Sequence, residues 1–141
     1  KPEKLEDREN LNMKKILYIE DNMLNIRLIK KTLKNMGYEI ITAIDGQTGI
    51  QTTLAEQPDL ILLDLNLPDI YGIEVAKQIK EHLTVRDVPI VAITADATDA
   101  TRKLCQEAGF AAYLMKPAGR AEVLSTVIQL LDTEVAATRD M

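Results

Sequence analysis

The stretch LILLDLNLP at residues 60–68 places a carboxylate, Asp64, at the end of an apolar run. A charged side chain in such a run is costly to bury unless a partner compensates for its charge. The four apolar residues before it lack the polar alternation of a half-exposed strand, so they predict a central strand of a parallel sheet. Asp64 is thus predicted to lie at the end of a buried strand, where it needs a partner or a function.

Similar apolar runs recur along the chain and alternate with segments of helical period. Five short runs rich in Ile, Leu and Val alternate with five amphipathic segments. This alternation predicts an α/β fold with a doubly wound, five-stranded parallel sheet and helices on both faces. The run IVAI at 90–93 is also predicted to be central, and the more polar YEIITA at 38–43 is predicted at an edge. Gly37 and Gly109 are predicted to end two of the helices in a left-handed conformation.

Composition narrows the class of protein. The chain has 141 residues, of which 46% are hydrophobic and 28% charged, which fits a single domain. That domain is expected over residues 13–132, with a polar leader at 1–12 and a tail at 133–141 that lacks apolar periodicity. Cys105 and His82 are the only residues of their types. A disulfide or a Cys/His zinc site within one chain is therefore excluded.

Charge and hydropathy also bear on partners. No apolar run approaches the ~20 residues needed to span a bilayer, and residues 1–10 are charged where a secretory signal would be apolar. The net charge of −5 comes without a block of Lys or Arg. We therefore expect a cytoplasmic protein with neither a membrane nor a nucleic acid as its direct partner.

Polar residues follow four of the predicted strands. The first strand is predicted to finish in Glu20 and Asp21, the third in Asp64, the fourth in Thr94 and the fifth in Lys116. In open parallel sheets, ligands bind outside these carboxyl ends. Three carboxylates in one pocket repel each other by roughly 3 kcal/mol per pair at ~5 Å and an effective dielectric constant near 20. Lys116 offsets part of this repulsion, and a hard divalent cation such as Mg²⁺ suits the remaining oxygen ligands.

This combination predicts phosphoryl transfer. A metal ion and an ammonium group neutralise charge on the phosphoryl oxygens, a hydroxyl group donates to one of them, and a carboxylate oxygen attacks in line. Taken singly, each residue has a common structural role. Asp21 or Asn22 can cap the next helix, Thr94 is an ordinary strand residue, Lys116 a surface lysine and Tyr113 an edge aromatic. Their joint placement is what favours a functional site.

Four segments carry a resemblance to a known family: ILYIEDN, LILLDLNLP, VAITA and YLMKP. In this order and spacing, over about residues 14–132, they resemble the receiver domains of two-component response regulators. The resemblance implies a flavodoxin-like receiver fold with strand order 2-1-3-4-5. It also implies that the protein takes a phosphoryl group from a phosphohistidine and switches a protein-interaction face, without turnover of a small molecule.

The resemblance implies roles for individual residues. Asp64 is similar to the phosphoacceptor, and Thr94 and Lys116 are similar to the hydroxyl and ammonium groups that hold the phosphoryl group. Tyr113 is similar to the aromatic switch residue whose rotamer follows Thr94. With Asp64, the implied Mg²⁺ ligands are Glu20 through a water, Asp21, and the backbone carbonyl of Asn66.

The resemblance also implies partners. The segment EDNMLN at 20–25 is similar to that of receivers that exchange phosphoryl groups with histidine phosphotransfer proteins or belong to hybrid histidine kinases. The expected partners are therefore a histidine kinase, a histidine phosphotransfer protein, or both. The residues expected on the switched face are Arg102, Lys103, Gln106 and Arg120. The residues expected near the docking site of the phosphodonor are Met23, Leu24 and Ile26.

The sequence departs from the family pattern at one position, and two other classes of function are considered. Tyr71 stands where the family commonly has Asp or Asn at the cap of the third helix, and Asp69 is expected to replace it as the cap. A Mg²⁺-dependent phosphatase could use Asp64 as its nucleophile, but such enzymes typically have a second acid where this chain has Asn66. The other class is a binding module of the same fold that takes no phosphate, such as a flavin or partner-protein platform, and the lack of a Gly-rich loop after the first strand counts against a nucleotide or flavin.

Overall fold

The computed structural model describes residues 13–96 and 98–131, so the predicted leader at 1–12 and tail at 133–141 lie outside the described residues. Within these ranges the chain forms five strands and five helices in strict alternation. The strands are β1 (Lys15–Ile19), β2 (Glu39–Ala43), β3 (Leu60–Asp64), β4 (Ile90–Thr94) and β5 (Ala112–Met115). The helices are α1 (Met23–Asn35), α2 (Gly46–Glu56), α3 (Gly72–Lys80), α4 (Asp99–Glu107) and α5 (Arg120–Leu131). The predicted order of elements is confirmed.

The sheet is parallel throughout, with strand order β2-β1-β3-β4-β5. The doubly wound fold with order 2-1-3-4-5 is therefore confirmed. β2 lies at an edge, as its polar sequence predicts, and every residue of β3 and β4 is buried. The register pairs Ile19 with Leu63, and Asp64 with Ile93. The last residues of neighbouring strands thus end at the same edge of the sheet.

Two apolar layers fix the strands from opposite faces. Because side chains alternate along a strand, Ile16 and Tyr18 of β1 pack towards α1 and α5, and Leu17 and Ile19 pack towards α2 and α3. A smaller cluster joins the end of β3 to α4 through Leu65 and Cys105. Burying a side chain of this size stabilises the fold by about 1.5–3 kcal/mol. The strand ends therefore rest on a tightly packed core.

The residues at the ends of the helices mostly agree with those predicted from the sequence. Asn22 caps α1 by accepting the N–H of Asn25, and Gly37 and Gly109 have φ angles of +91° and +85° after α1 and α4. Gln57 ends α2 in the left-handed region without being a glycine, which the sequence did not indicate. No helix among the described residues combines the length and the apolar character that crossing a membrane requires.

The prediction that Asp69 caps α3 is wrong. Tyr71 occupies the cap position of α3 and makes no side-chain cap hydrogen bond. The carboxylate of Asp69 instead accepts the backbone N–H groups of Gly46 at 2.7 Å and Gln47 at 2.9 Å, at the start of α2. The loop before α3 brings this side chain against the free N–H groups of a neighbouring helix, where a negative charge is favoured.

Candidate functional site

Four of the predicted site residues meet at the carboxyl edge of the sheet. Glu20 and Asp21 follow β1, Asp64 ends β3, and Lys116 follows β5. One carboxylate oxygen from each of the three acids lies within 4.8 Å of the others. The register of the parallel strands produces this convergence, because β1 and β3 end level with each other.

Lys116 joins the two buried carboxylates. Its Nζ lies 2.8 Å from Oε1 of Glu20 and 3.0 Å from Oδ2 of Asp64. The lysine side chain is 22% exposed, whereas those of Glu20 and Asp64 are only 1% and 4% exposed. Removing either carboxylate would leave Lys116 paired to the other, but removing the ammonium would leave two buried charges uncompensated. The predicted proximity of Lys116 to the acids is observed. The peptide bond between Lys116 and Pro117 is cis.

Glu20 accepts hydrogen bonds from two further donors, one of which was not predicted from the sequence. The hydroxyl of Tyr18 donates to Oε1 of Glu20 at 2.9 Å, and the backbone N–H of Asn22 donates to Oε2 at 3.1 Å. Tyr18 is fully buried. A tyrosine two residues before an acid in an extended segment lies on the same side of the chain. Because a buried hydroxyl requires a partner, that spacing is the signal that could have identified Tyr18.

The two buried acids have opposite electrostatic environments. Burial raises the pKa of Asp64 to about 6, with a further contribution from the negative charge of Glu20, against the N–H of Asn66 and the ammonium of Lys116. Burial would raise the pKa of Glu20 as well, but Lys116 and the N–H of Asn22 outweigh it and leave that pKa lowered. The two carboxylates thus compete for one ammonium group, and Glu20 holds its charge more firmly. Asp64 is the acid whose charge is less well compensated.

Asn66 and Gly72 shape the end of β3. The backbone N–H of Asn66 donates to Oδ1 of Asp64 at 3.0 Å, so the two oxygens of this carboxylate have different partners. A Cβ atom at Gly72 would lie 2.6 Å from Cα of Leu65 and 2.7 Å from the carbonyl oxygen of Asp64. Only glycine therefore allows α3 to begin against the strand end, a role that was not predicted from the sequence. That the carbonyl of Asn66 binds a metal stays a prediction.

Thr94 and Tyr113 lie on the side of the site that leads to α4. Thr94 is fully buried, and its Oγ1 accepts the backbone N–H of Asp96 at 3.1 Å. Tyr113 is half-buried, its hydroxyl donates to the backbone carbonyl of Asp96, and the guanidinium of Arg102 lies 5.2 Å from the centre of its ring. The structure therefore joins the predicted hydroxyl and the predicted switch residue through one loop residue. Among the described residues, no hydrogen bond joins Tyr113 to the three acids.

The carboxylate oxygens at this site are suitable ligands for a small divalent cation. All three side chains are carboxylates, the hard oxygen ligands that Mg²⁺ prefers, and Mg²⁺ usually retains several waters beside one or two protein ligands. Asp21 is exposed, which leaves the cluster open to water on one side. The surplus of negative charge over the single ammonium also favours a bound cation. The acids present are thus suited to such an ion.

Comparisons with known proteins identify the family. The family model for the response regulator receiver domain matches residues 16–128. The polar-differentiation response regulator DivK of Brucella anthropi is 32% identical over 114 residues, which cover 81% of this chain and 93% of DivK. The chain belongs to the response regulator receiver domain family of two-component systems.

Solved structures agree with this assignment. The receiver domain of a sensor histidine kinase from Pseudomonas aeruginosa PAO1, with magnesium coordinated in its active-site cleft, has a TM-score of 0.78 and 33% identity. That comparison covers 84% of this chain and 98% of the Pseudomonas domain. A CheY-like receiver domain protein from Methanospirillum hungatei JF-1 has a TM-score of 0.83 and 25% identity, over 89% of this chain and 99% of its own. The predicted receiver fold is therefore confirmed.

Proposed function

We propose that this domain accepts a phosphoryl group on Asp64 from the phosphohistidine of a histidine kinase or histidine phosphotransfer protein in the cytoplasm. The observation that carries the proposal is the position of the Asp64 carboxylate. It ends a buried strand, lies within 4.8 Å of two other acids, and contacts an ammonium at 3.0 Å. Packing of β3 alone does not call for a carboxylate at this position, and a buried ionisable group with a perturbed pKa beside a charged partner is typical of functional sites.

The transfer would proceed by in-line displacement. A carboxylate oxygen of Asp64 forms a bond to phosphorus while the bond between phosphorus and the imidazole nitrogen of the donor breaks, and that nitrogen keeps the electron pair and takes up a proton. Lys116 can donate to a phosphoryl oxygen because its ammonium already lies between Glu20 and Asp64. Thr94, at the end of the adjacent strand, is the proposed hydroxyl donor.

A divalent cation completes the proposed site. Glu20, Asp21 and Asp64, with the backbone carbonyl of Asn66, would hold Mg²⁺, which supplies positive charge to the phosphoryl oxygens. The Tyr18 and Asn22 donors orient the carboxylate of Glu20, as partners of metal ligands commonly do. The magnesium ion in the cleft of the Pseudomonas receiver domain supports this choice of cation.

Two surfaces are proposed for partners. Met23 and Leu24 are 56% and 64% exposed at the start of α1, next to the acidic cluster, and are proposed to contact the phosphodonor. Ile26, predicted for the same surface, is buried in the core and is excluded from it. The residues of the proposed switched face are all exposed: Arg102, Lys103, Gln106 and Arg120. The family, together with Asn66 in place of a second acid, favours this signalling role over a phosphatase that turns over small molecules.

Intact mass after incubation with acetyl phosphate tests the proposal. We expect one added phosphoryl group on the wild-type chain, only when Mg²⁺ is present, and none on Asp64→Asn. The matched control is Asp59→Asn, an exposed aspartate just before the first residue of the same strand, which should be labelled like the wild type. Equal labelling of Asp64→Asn and the wild type would contradict the assignment of Asp64.

A further inference from the structure

Asp96, in the loop between β4 and α4, uses every polar group that it has. Its backbone N–H donates to Oγ1 of Thr94 at 3.1 Å, and its carbonyl accepts the hydroxyl of Tyr113. Its Oδ1 accepts the backbone N–H of Thr98 at 3.0 Å, and its Oδ2 accepts the hydroxyl of Thr101 at 2.6 Å. One residue of a surface loop is thus held by the strand end, by β5 and by the first turn of α4.

The hydrogen bond between Asp96 and Thr101 connects the loop to helix α4. Thr101 is buried on α4, although its side chain is polar. The hydroxyl of Thr98 donates to the hydroxyl of Thr101 at 3.1 Å, and the hydroxyl of Thr101 donates in turn to Asp96. Hydrogen bonds in such a chain strengthen one another, and one that ends on a carboxylate is among the stronger kinds. The same contact is the largest cause of the lowered pKa of the Asp96 carboxyl.

We propose that Thr101 is a positioning residue that fixes Asp96 and thereby couples Thr94 to Tyr113. This proposal rests on the phosphoacceptor function proposed above. The amide of Asp96 occupies an acceptor site of the Thr94 hydroxyl, which leaves the hydroxyl proton free to be donated elsewhere. The carbonyl of the same residue fixes the hydroxyl of Tyr113. A shift of Asp96 therefore moves the partners of both side chains together.

Loss of the Thr101 hydroxyl should weaken this coupling. In Thr101→Val, the shape of the side chain is kept but the Asp96 carboxylate loses its helix partner. Asp96 is then held less firmly, so the rotamer of Thr94 is less well defined when the phosphoryl group arrives. We expect the initial rate of labelling by acetyl phosphate to fall by about threefold to tenfold, which is within the range for the net loss of one typical hydrogen bond.

The test uses the full chain labelled with 3-fluorotyrosine, with the signal of Tyr113 assigned by Tyr113→Phe among the 4 tyrosines. Fluorine spectra are recorded before and after addition of acetyl phosphate and Mg²⁺, and labelling is followed by mass in parallel. Thr101→Val is compared with Thr101→Ser, which restores the hydroxyl. The matched control is Thr53→Val, a buried threonine of α2 whose hydroxyl donates only to the carbonyl of Gly49 in its own helix, at 2.8 Å.

We expect Thr101→Val to shift the Tyr113 signal of the unmodified protein, to slow labelling, and to reduce the change in that signal on labelling. Thr101→Ser and Thr53→Val should both behave like the wild type. A wild-type rate and an unchanged Tyr113 signal in Thr101→Val would overturn the coupling but leave the proposed function intact. A Thr101→Ser variant that behaves like Thr101→Val would also overturn it, because the hydroxyl would then not be the cause. If the wild type is not labelled at all, the proposed function fails, and the signal of the unmodified protein still decides the coupling.

Discussion

Replacing Asp64 with asparagine should stabilise the metal-free protein. Burial and the charge of Glu20 raise the pKa of Asp64 from its ordinary 3.8 to about 6. That difference corresponds to about 3 kcal/mol by which the charged carboxylate destabilises the folded state at neutral pH. The raised pKa already includes the contact between Asp64 and Lys116, and Lys116 retains Glu20 at 2.8 Å. Asparagine keeps an acceptor for the N–H of Asn66, but its NH2 group then stands in the place of Oδ2 and cannot accept from Lys116, which costs about 1–2 kcal/mol. We therefore expect a net gain of about 1–2 kcal/mol in the free energy of unfolding.

The gain should depend on pH in a defined direction. Because the pKa of Asp64 is raised on folding, the folded state binds this proton more tightly than the unfolded state between pH 3.8 and about 6. The stability contributed by Asp64 therefore falls as the pH rises through that window, and the full penalty is present above it. The advantage of Asp64→Asn should be small near pH 4 and complete by pH 7 to 8.

Urea denaturation in the presence of EDTA measures this advantage. Unfolding curves at several pH values between 4 and 8 give the free energy of unfolding for the wild type, Asp64→Asn and the control Asp59→Asn. The control should show no advantage that grows with pH. If Asp64→Asn is no more stable than the wild type at pH 8, or if its advantage does not grow between pH 4 and 7, the electrostatic description of the site is wrong.

Three further predictions concern neighbouring positions. Tyr18→Phe removes a donor to Glu20 and should weaken Mg²⁺ binding about tenfold, as followed by calorimetric titration; equal affinity would contradict the role of Tyr18. Asp21→Asn should reduce the rise in the urea midpoint that Mg²⁺ causes in the wild type, and an undiminished rise would remove Asp21 from the ligands. Gly72→Ala should destabilise the fold by about 1–3 kcal/mol, because its Cβ would meet Cα of Leu65 at 2.6 Å; wild-type stability would contradict this packing.

The fold could be predicted from the sequence because local and global signals agree. The alternation of apolar runs with helical segments, and the unbroken runs of β3 and β4, indicated the parallel sheet and its central strands. The strand order itself came from the family resemblance. The left-handed end of α2 at Gln57 was missed because the sequence has no glycine at that position.

The part of the site that is formed by residues at strand ends could be predicted from the sequence. Glu20, Asp21, Asp64 and Lys116 lie at the ends of strands, so the parallel topology alone brings them to one edge. Contacts made by loops were less predictable. The prediction for Asp69 assumed that an acid caps the nearest helix in the chain, whereas the folded loop brings it to a helix distant in sequence.

Trapping the modified residue with borohydride tests the central proposal most directly. Borohydride reduces an aspartyl phosphate to homoserine, so the position of homoserine after acetyl phosphate and Mg²⁺ treatment identifies the acceptor by peptide mass spectrometry. We predict homoserine at residue 64 alone. Homoserine at Asp21, or at another acid in place of residue 64, would contradict the proposal that Asp64 is the phosphoacceptor.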